Sequence, residues 1–155
     1  DSYVKKLLEV YFDFGTSLKR SFVHMKGKTK YNDKSVIAQI GKKKTDYSKN
    51  NKEGKNFVIY VVDADDYLIK YEDQQRLIEI QEYCKEKGYY LVWFCRTIEE
   101  VLIGFKVEDN KKLKYAMKFA REANETTIKE NDLKCNKICN KKSNFLEVLE
   151  EIIRQ

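Results

Sequence analysis

The chain has 155 residues, and its 31 Lys and Arg against 25 Asp and Glu give a net charge of +6. The length matches one domain, and 42% hydrophobic residues are enough for a core and too many for a disordered chain. No apolar run approaches the ~18 residues of a membrane-spanning helix, and no secretory signal pattern is present. We therefore expect a globular cytoplasmic protein whose four cysteines are reduced.

The positive charge is unevenly distributed along the chain. Residues 1–62 carry a net charge of +8, residues 63–108 carry −5 and residues 109–155 carry +3. Basic flanks attract polyanions, whereas an acidic centre repels them unless it holds metal cations. The alternative is a lysine-rich protein with ordinary solvated faces, so this pattern alone is weak support for a nucleic-acid partner.

The N-terminal third predicts two helices and one strand. Apolar residues at helical spacing predict an amphipathic helix over 2–14. The β-branched and aromatic residues at 21–25 predict a strand, and a loop is expected over 26–32. A short helix is expected over 33–41, and a polar, basic loop over 42–56.

Two apolar runs predict the centre of a sheet. Residues 57–62 (FVIYVV) and 89–95 (YYLVWFC) do not alternate with polar residues, which is typical of parallel strands buried on both faces. A helix over 72–87, ended by Gly88, connects them. This order predicts a βαβ unit with parallel strands. Residues 97–100 (TIEE) have the form of a capping box that begins the next helix.

The C-terminal part predicts further helices. They are expected over 109–122 and 144–154, and the Lys- and Asn-rich segment 129–142 is the best candidate for a mobile connection. The element order indicates an α/β fold, with a parallel sheet flanked by helices. We expect residues 1–104 to form the α/β domain and residues 105–155 to form a helical C-terminal extension packed on the same domain.

Acidic residues follow both predicted central strands. Asp63 and Asp65 come directly after the first strand, at the place where ligands bind in open α/β sheets. Carboxylates at this D-x-D spacing suit Mg²⁺, which prefers oxygen ligands. Glu99 follows the second strand and is predicted as a further ligand or base, whereas the capping box explains Glu100. The alternative for the two aspartates is a polar turn.

Basic residues are concentrated in one segment. Residues 26–55 contain 10 Lys or Arg against 3 acids, with tyrosines among the lysines, which suits phosphate contact and base stacking. Arg96 could contact a scissile phosphate through its planar guanidinium. The alternative is a solvated loop. The predicted nucleic-acid-binding residues are Lys26, Lys28, Lys30, Lys42, Lys43, Lys44 and Arg96.

The cysteines leave two interpretations open. Cys135 and Cys139 are four positions apart, and His24 is the single histidine. A zinc site is one interpretation, but the spacing favours two ordinary thiols, because tight zinc sites use more closely spaced pairs.

The central segment resembles a known family. The run 57–65 (FVIYVVDAD), the helix after it, the strand 89–95 and the acids within 97–100 are similar to a TOPRIM domain. The resemblance is to the nuclease-type members, the OLD-like and RloB-like proteins of prokaryotic defence systems, and it covers residues 1–104. It implies a three-layer, Rossmann-like α/β fold.

The resemblance also implies a site. Asp63 and Asp65 match the D-x-D metal motif of the family, and Glu99 matches its later acid. These three are the predicted catalytic and metal-binding residues, with Mg²⁺ or Mn²⁺ as cofactor. The E-G-x-x-[DE] motif of the family is not found before the first helix. Residues 1–3 (DSY) resemble the tail of that motif, which would place its strand and Glu in an upstream segment or a partner domain.

The predicted function is metal-dependent cleavage of nucleic-acid phosphodiester bonds, and DNA is expected as the substrate rather than RNA. In this reaction two metal ions would stabilise the attacking and leaving oxygens. One alternative is a catalytically degenerate TOPRIM-like module that binds nucleic acid, which the missing E-G motif favours. Another is a phosphohydrolase of the haloacid-dehalogenase type, in which D-x-D supplies a nucleophile and an acid. That enzyme also needs acids at a later strand end, and the C-terminal third predicts no buried strand to present them.

Overall fold

A computed structural model describes residues 1–12, 19–50 and 54–154. Within these residues, one sheet contains three strands in the order β1 (Ile59–Asp63), β2 (Tyr90–Cys95) and β3 (Lys142–Ser143). β1 and β2 are parallel, whereas β3 pairs antiparallel with the other edge of β2. The α-helices of the same residues are α1 (Ser2–Tyr11), α2 (Lys34–Asn50), α3 (Tyr71–Lys87), α4 (Ile98–Leu102), α5 (Lys112–Glu122), α6 (Glu130–Leu133) and α7 (Phe145–Ile153).

The βαβ unit predicted from the two apolar runs is confirmed as β1, α3 and β2. The register places Asp63 opposite Phe94, so the two parallel strands end close together. α3 ends at Gly88, whose φ of 66° lies in the left-handed region. Glycine adopts this conformation at little cost because it has no Cβ. The sheet as a whole is mixed rather than parallel because β3 joins it.

Helices cover both faces of the sheet. On one face, Phe94 of β2 packs in a cluster with Leu7 of α1 and Phe145 of α7. On the other face, Trp93 of β2 packs in a cluster with Ile80 of α3. Consecutive side chains of β2 enter opposite cores, as expected for a strand that is buried on both sides. The predicted arrangement of a sheet between helices is therefore confirmed.

The longest described helices, α2 and α3, have 17 residues each and carry many charged side chains. Within the described ranges, no helix combines the length and the apolar character needed to cross a bilayer.

The structure differs from two N-terminal predictions. Residues 21–25 form no strand; they line a groove together with β1, and Met25 packs against the α3-side core. α2 continues past Gly41 to Asn50, where a basic loop was expected. Lysine is a good helix former, and a Cβ at Gly41 would meet nothing within 4 Å, so no close contact requires a glycine there. The first part of the predicted loop is therefore a helical surface.

Residues 105–155 contribute to the sheet as well as to its helical cover. The Asn144 side chain extends the pairing of β3 with β2, accepting from the N–H of Trp93 at 2.8 Å and donating to the carbonyl of Leu91 at 2.9 Å. The expected helical extension thus contains a strand. Segment 129–142, expected as a mobile connection, contains α6 and the first residue of β3. A two-residue strand of polar composition has no periodicity that a sequence could reveal.

Candidate functional site

Asp63 ends β1 at the carboxyl edge of the parallel strands. Its Oδ1 accepts a hydrogen bond from the backbone N–H of Ile98 at 2.8 Å. Ile98 is the first residue of α4, and the first N–H groups of a helix have no partner within the helix. The hydrogen bond therefore holds the carboxylate between the end of β1 and the beginning of α4.

The surroundings of Asp63 disfavour its charged form. Burial raises the pKa of Asp63 to about 7, and the charges of Glu99 and Asp65 act in the same direction. The N–H of Ile98 and the charge of Lys112 oppose the shift. Near pH 7, the protonated and the ionised forms of the Asp63 carboxyl are therefore present in similar amounts.

α4 buries two acidic residues in its first turn, Glu99 at 6% exposure and Glu100 at 8%. The predicted capping box accounts for Glu100. Its N–H donates to Thr97 Oγ1 at 3.3 Å, and the Thr97 hydroxyl donates to Glu100 Oε2 at 3.3 Å. By contrast, none of residues 1–12, 19–50 and 54–154 donates a hydrogen bond to the carboxylate of Glu99. Glu99 is therefore a buried acid with unused acceptor capacity beside Asp63.

Tyr3 of α1 is a site residue that the sequence analysis missed. It is 5% exposed, and its ring centroid lies 5.1 Å from that of Phe119. Its hydroxyl is buried without a hydrogen-bond partner in the described part of the chain. Burial raises the pKa of Tyr3, and the charge of Glu99 adds to this. An orphaned buried hydroxyl is rare in proteins, so this one is a candidate partner for a bound water or ligand.

Asp65 forms an ion pair with a lysine. Its φ of 47° turns the chain directly after β1, and its Oδ2 forms an ion pair with Lys28 Nζ at 2.6 Å. Lys28 also contacts Asp73 Oδ1 at 2.8 Å, and only 17% of its side chain is exposed. Lys28, which the sequence predicts to bind nucleic acid, bridges two carboxylates in the structure.

Arg96 and Asp66 form a second ion-paired group at the strand ends. Arg96 Nε lies 3.5 Å from Asp66 Oδ1, and Lys70 Nζ lies 2.7 Å from Asp66 Oδ2. The Arg96 side chain remains 42% exposed. A phosphate contact by Arg96, as predicted, would therefore compete with the carboxylate of Asp66.

No group of three or more His, Cys, Asp or Glu side chains in the described residues is arranged to hold a metal ion. The predicted set of Asp63, Asp65 and Glu99 is not assembled, because Lys28 holds Asp65. Mg²⁺, however, is often bound through one or two carboxylates, with waters and phosphate oxygens completing its shell. Asp63, Glu99 and the unpartnered Tyr3 hydroxyl fit a hydrated cation of this kind.

A groove of about 540 Å³ lies along β1, the edge strand of the sheet. Asp63 and Tyr3 are among its lining residues, and many of the others are apolar side chains of β1 and α7. Two acidic residues, Asp1 and Asp63, line it. The basic residues that line it are Lys19, Arg20, Lys43, Lys44 and Lys55. The groove therefore joins a basic surface to the acidic site.

Besides Lys28 and Arg96, the five other predicted basic residues divide into two sets. Lys43 and Lys44 are exposed on α2 and line the groove. Lys26, Lys30 and Lys42 are exposed but are not among its lining residues. Of these five lysines, only Lys43 and Lys44 therefore lie at the groove that Asp63 also lines.

The zinc interpretation gains no third ligand in the described residues. The sulfur atoms of Cys135 and Cys139 are 3.5 Å apart. His24 forms a separate contact, from its Nε2 to Asp1 Oδ2 at 3.0 Å.

Comparisons of the chain with protein-family models, with curated proteins and with solved structures found no significant match. The TOPRIM resemblance stays a prediction, and the functional interpretation rests on the geometry around Asp63 and Glu99.

Proposed function

We propose that this protein is a TOPRIM-like, metal-dependent nuclease that cleaves phosphodiester bonds in DNA. The observation that carries the proposal is the pair of acids at the ends of the parallel strands. Asp63 has a strongly raised pKa because it is buried beside other acids, and Glu99 is buried with no hydrogen-bond donor in the described chain. Mg²⁺ or Mn²⁺ is the cofactor we assign to this pair.

Electrostatics favour a cation at this position. Two neighbouring carboxylates that lose hydration repel each other, and only a proton or a cation relieves the repulsion. When bound, a divalent cation supplies Lewis-acid stabilisation of the negative charge on a reacting phosphate. The Ile98 N–H holds Oδ1 of Asp63, which leaves Oδ2 of Asp63 and the carboxylate of Glu99 as the available acidic ligands.

Tyr3 and Lys112 complete the proposed site. The Tyr3 hydroxyl, which has no partner in the described residues, is available to donate to a phosphate oxygen or a water. The pKa of Lys112 is raised by its hydrogen bond to Asp109 and, against its burial, by the charges of Glu99 and Asp63. Lys112 is therefore a positive charge within electrostatic reach of both acids.

The groove along β1 supports a nucleic-acid substrate. Lys43, Lys44 and Lys55 would contact backbone phosphates, which supply most of the sequence-independent affinity. Tyr47 and Phe57 also line the groove and would stack on bases. Because base stacking requires exposed base faces, we assign single-stranded DNA as the preferred substrate.

Asp65 has a conditional role in the proposal. Its carboxylate is paired with Lys28, so it becomes a second metal ligand only if Lys28 releases it. Otherwise Asp65 and Asp73 together hold Lys28, which anchors the turn after β1 to α3.

Cleavage assays test the proposal. Single-stranded DNA, duplex DNA and RNA oligonucleotides are incubated with protein and Mg²⁺, Mn²⁺ or EDTA. We expect cation-dependent cleavage that falls by at least about 100-fold in Asp63→Asn and in Glu99→Gln, since each variant removes a carboxylate ligand of the cation that would stabilise the reacting phosphate. Glu86→Gln is the control, because Glu86 is an exposed acid at the end of α3 and lies outside the proposed site. Cleavage that persists in EDTA, or that all three variants retain, contradicts the proposal.

A second candidate is a nucleic-acid-binding module without catalysis. It is favoured by the lack of a three-residue ligand group in the described chain and by the engagement of Asp65 with Lys28. Such a module binds DNA with strong salt dependence and equally well in EDTA, and it leaves DNA intact.

A further inference from the structure

We propose that Cys135 and Cys139 are a redox-active dithiol that closes to an intramolecular disulfide by exchange with a small-molecule disulfide such as oxidised glutathione. This inference is independent of the proposed nuclease function. It rests on the contact between the two sulfur atoms and on the backbone that holds them together.

The two thiols are positioned for closure. Their sulfur atoms are 3.5 Å apart, and a disulfide bond of about 2.05 Å requires them to approach by only about 1.5 Å. The segment between α6 and β3 that contains them is neither helix nor strand. A small rearrangement of this segment therefore breaks no backbone hydrogen bond within a helix or between strands.

The backbone brings both ends of this segment to β3. The N–H of Cys135 donates to the carbonyl of Ser143 at 3.1 Å, and the N–H of Lys142 donates to the carbonyl of Cys139 at 3.2 Å. Lys142 and Ser143 form β3, so one strand fixes the positions of both cysteines. The folded chain therefore keeps the sulfurs in contact more often than an unfolded chain does.

Exposure distinguishes this pair from the other two cysteines. Cys135 and Cys139 are partly exposed, whereas Cys84 and Cys95 are 2% and 0% exposed. Burial raises the pKa of Cys84 to about 12 and that of Cys95 to about 11, which leaves almost no reactive thiolate at either. Burial and the contact with Cys135 also raise the pKa of Cys139, so the exchange is followed to equilibrium rather than by its initial rate.

The reaction is balanced as two exchange steps. One protein thiolate attacks a sulfur of the glutathione disulfide, which forms a mixed disulfide and releases one glutathione thiolate. The second protein thiolate attacks the protein-side sulfur and releases the other. The dithiol loses two electrons, glutathione disulfide gains them, and the two thiol protons pass to the released glutathione.

Mass spectrometry of the full chain tests the assignment of the disulfide. The reduced protein is equilibrated with oxidised glutathione, the free thiols are alkylated and the peptides are mapped. We expect a mass about 2 Da below that of the reduced chain before alkylation, with Cys135 linked to Cys139 and with Cys84 and Cys95 alkylated. Cys135→Ser should instead retain glutathione on Cys139, and Cys139→Ser should retain it on Cys135. Alkylation of both thiols in the wild type, or stable glutathionylation without ring closure, overturns the proposal.

A second measurement tests whether the folded structure favours the disulfide beyond what the four-residue spacing of the two cysteines does by itself. The disulfide equilibrium constant against glutathione is measured for the folded chain and for the same chain in guanidinium chloride. The proposal requires a constant at least about tenfold larger in the folded chain, since folding holds the sulfurs in contact. An equal or smaller constant in the folded chain overturns it.

Discussion

The carboxylate of Asp63 accepts the backbone N–H of Ile98 at 2.8 Å, which ties the end of β1 to the beginning of α4. The two residues are distant in sequence, and the parallel pairing of β1 with β2 brings them together. One side chain thus satisfies a helix N–H and supplies an acid to the candidate site.

The raised pKa of Asp63 predicts a pH-dependent contribution to stability. The pKa is raised from 3.8 to about 7 in the folded protein, so the folded state holds the proton more tightly than the unfolded state. This stabilisation is full below about pH 4 and is lost progressively as the pH rises toward 7. Its size is at most about 4 kcal/mol, since each pKa unit corresponds to about 1.4 kcal/mol.

Urea unfolding from pH 4 to pH 8 in EDTA measures this effect, with Asp63→Asn as the reference. The amide oxygen of Asn can still accept the Ile98 N–H, but the side chain does not titrate. The wild type should lose stability relative to Asp63→Asn across this range. Parallel stability curves for the two proteins would show that Asp63 titrates at an ordinary pKa.

Lys28 is predicted to stabilise the fold rather than to bind DNA. Lys28→Met leaves Asp65 and Asp73 without their shared cation, which should lower the free energy of unfolding by about 1–3 kcal/mol. DNA affinity of the folded variant should stay close to that of the wild type. Lys26→Met, at an exposed position nearby, should leave stability unchanged. A stable Lys28→Met protein with weakened DNA binding would restore the original assignment of Lys28.

Lys43 and Lys44 are predicted to contact the DNA backbone. Replacing both with Gln should weaken binding of single-stranded DNA and reduce the slope of log K against log salt by about 1.4, since each phosphate contact contributes about 0.7. Fluorescence anisotropy in EDTA at several salt concentrations measures both. The matched control replaces Lys114 and Lys118 on α5, which lie outside the groove lining. Equal losses in the two double variants would indicate non-specific attraction instead of a groove.

The Tyr3→Phe variant tests whether the Tyr3 hydroxyl stabilises the fold or binds a ligand. The hydroxyl has no described hydrogen-bond partner, so its removal should leave stability unchanged or raise it by up to about 1 kcal/mol. Mn²⁺-dependent cleavage should nevertheless fall, because the group that contacts water or phosphate is lost. Lower stability with unchanged cleavage would assign the hydroxyl to the fold alone.

The central fold was predictable because its signals are local. Residues 57–62 and 89–95 are apolar runs without alternation, and Gly88 marks the end of the helix between them. β3 was not predictable, because its two polar residues pair with β2 across a long sequence separation and gain support from the side chain of Asn144. The length of α2 was missed because its lysines were interpreted as loop charge rather than as helix formers.

Only those residues of the candidate site that directly follow the parallel strands were predictable from the sequence. Asp63 and Glu99 follow parallel strands, so their closeness follows from topology. The engagement of Asp65 was not predictable, because Lys28, which pairs with its carboxylate, is remote in sequence. Tyr3 carried no signal beyond helical spacing, since its hydroxyl becomes buried without a described partner only in the folded chain.

In the proposed site, Asp63 and Glu99 hold one divalent cation together. Calorimetric titration of Mn²⁺ into the wild type, Asp63→Asn, Glu99→Gln and the double variant tests this, with Glu86→Gln as control and circular dichroism to verify folding. We predict that each single variant weakens binding by at least about tenfold. The double variant should lose little more than either single variant, because both residues serve the same ion. Mn²⁺ affinity that is unchanged in both single variants, or that is absent from the wild type, would contradict the proposal.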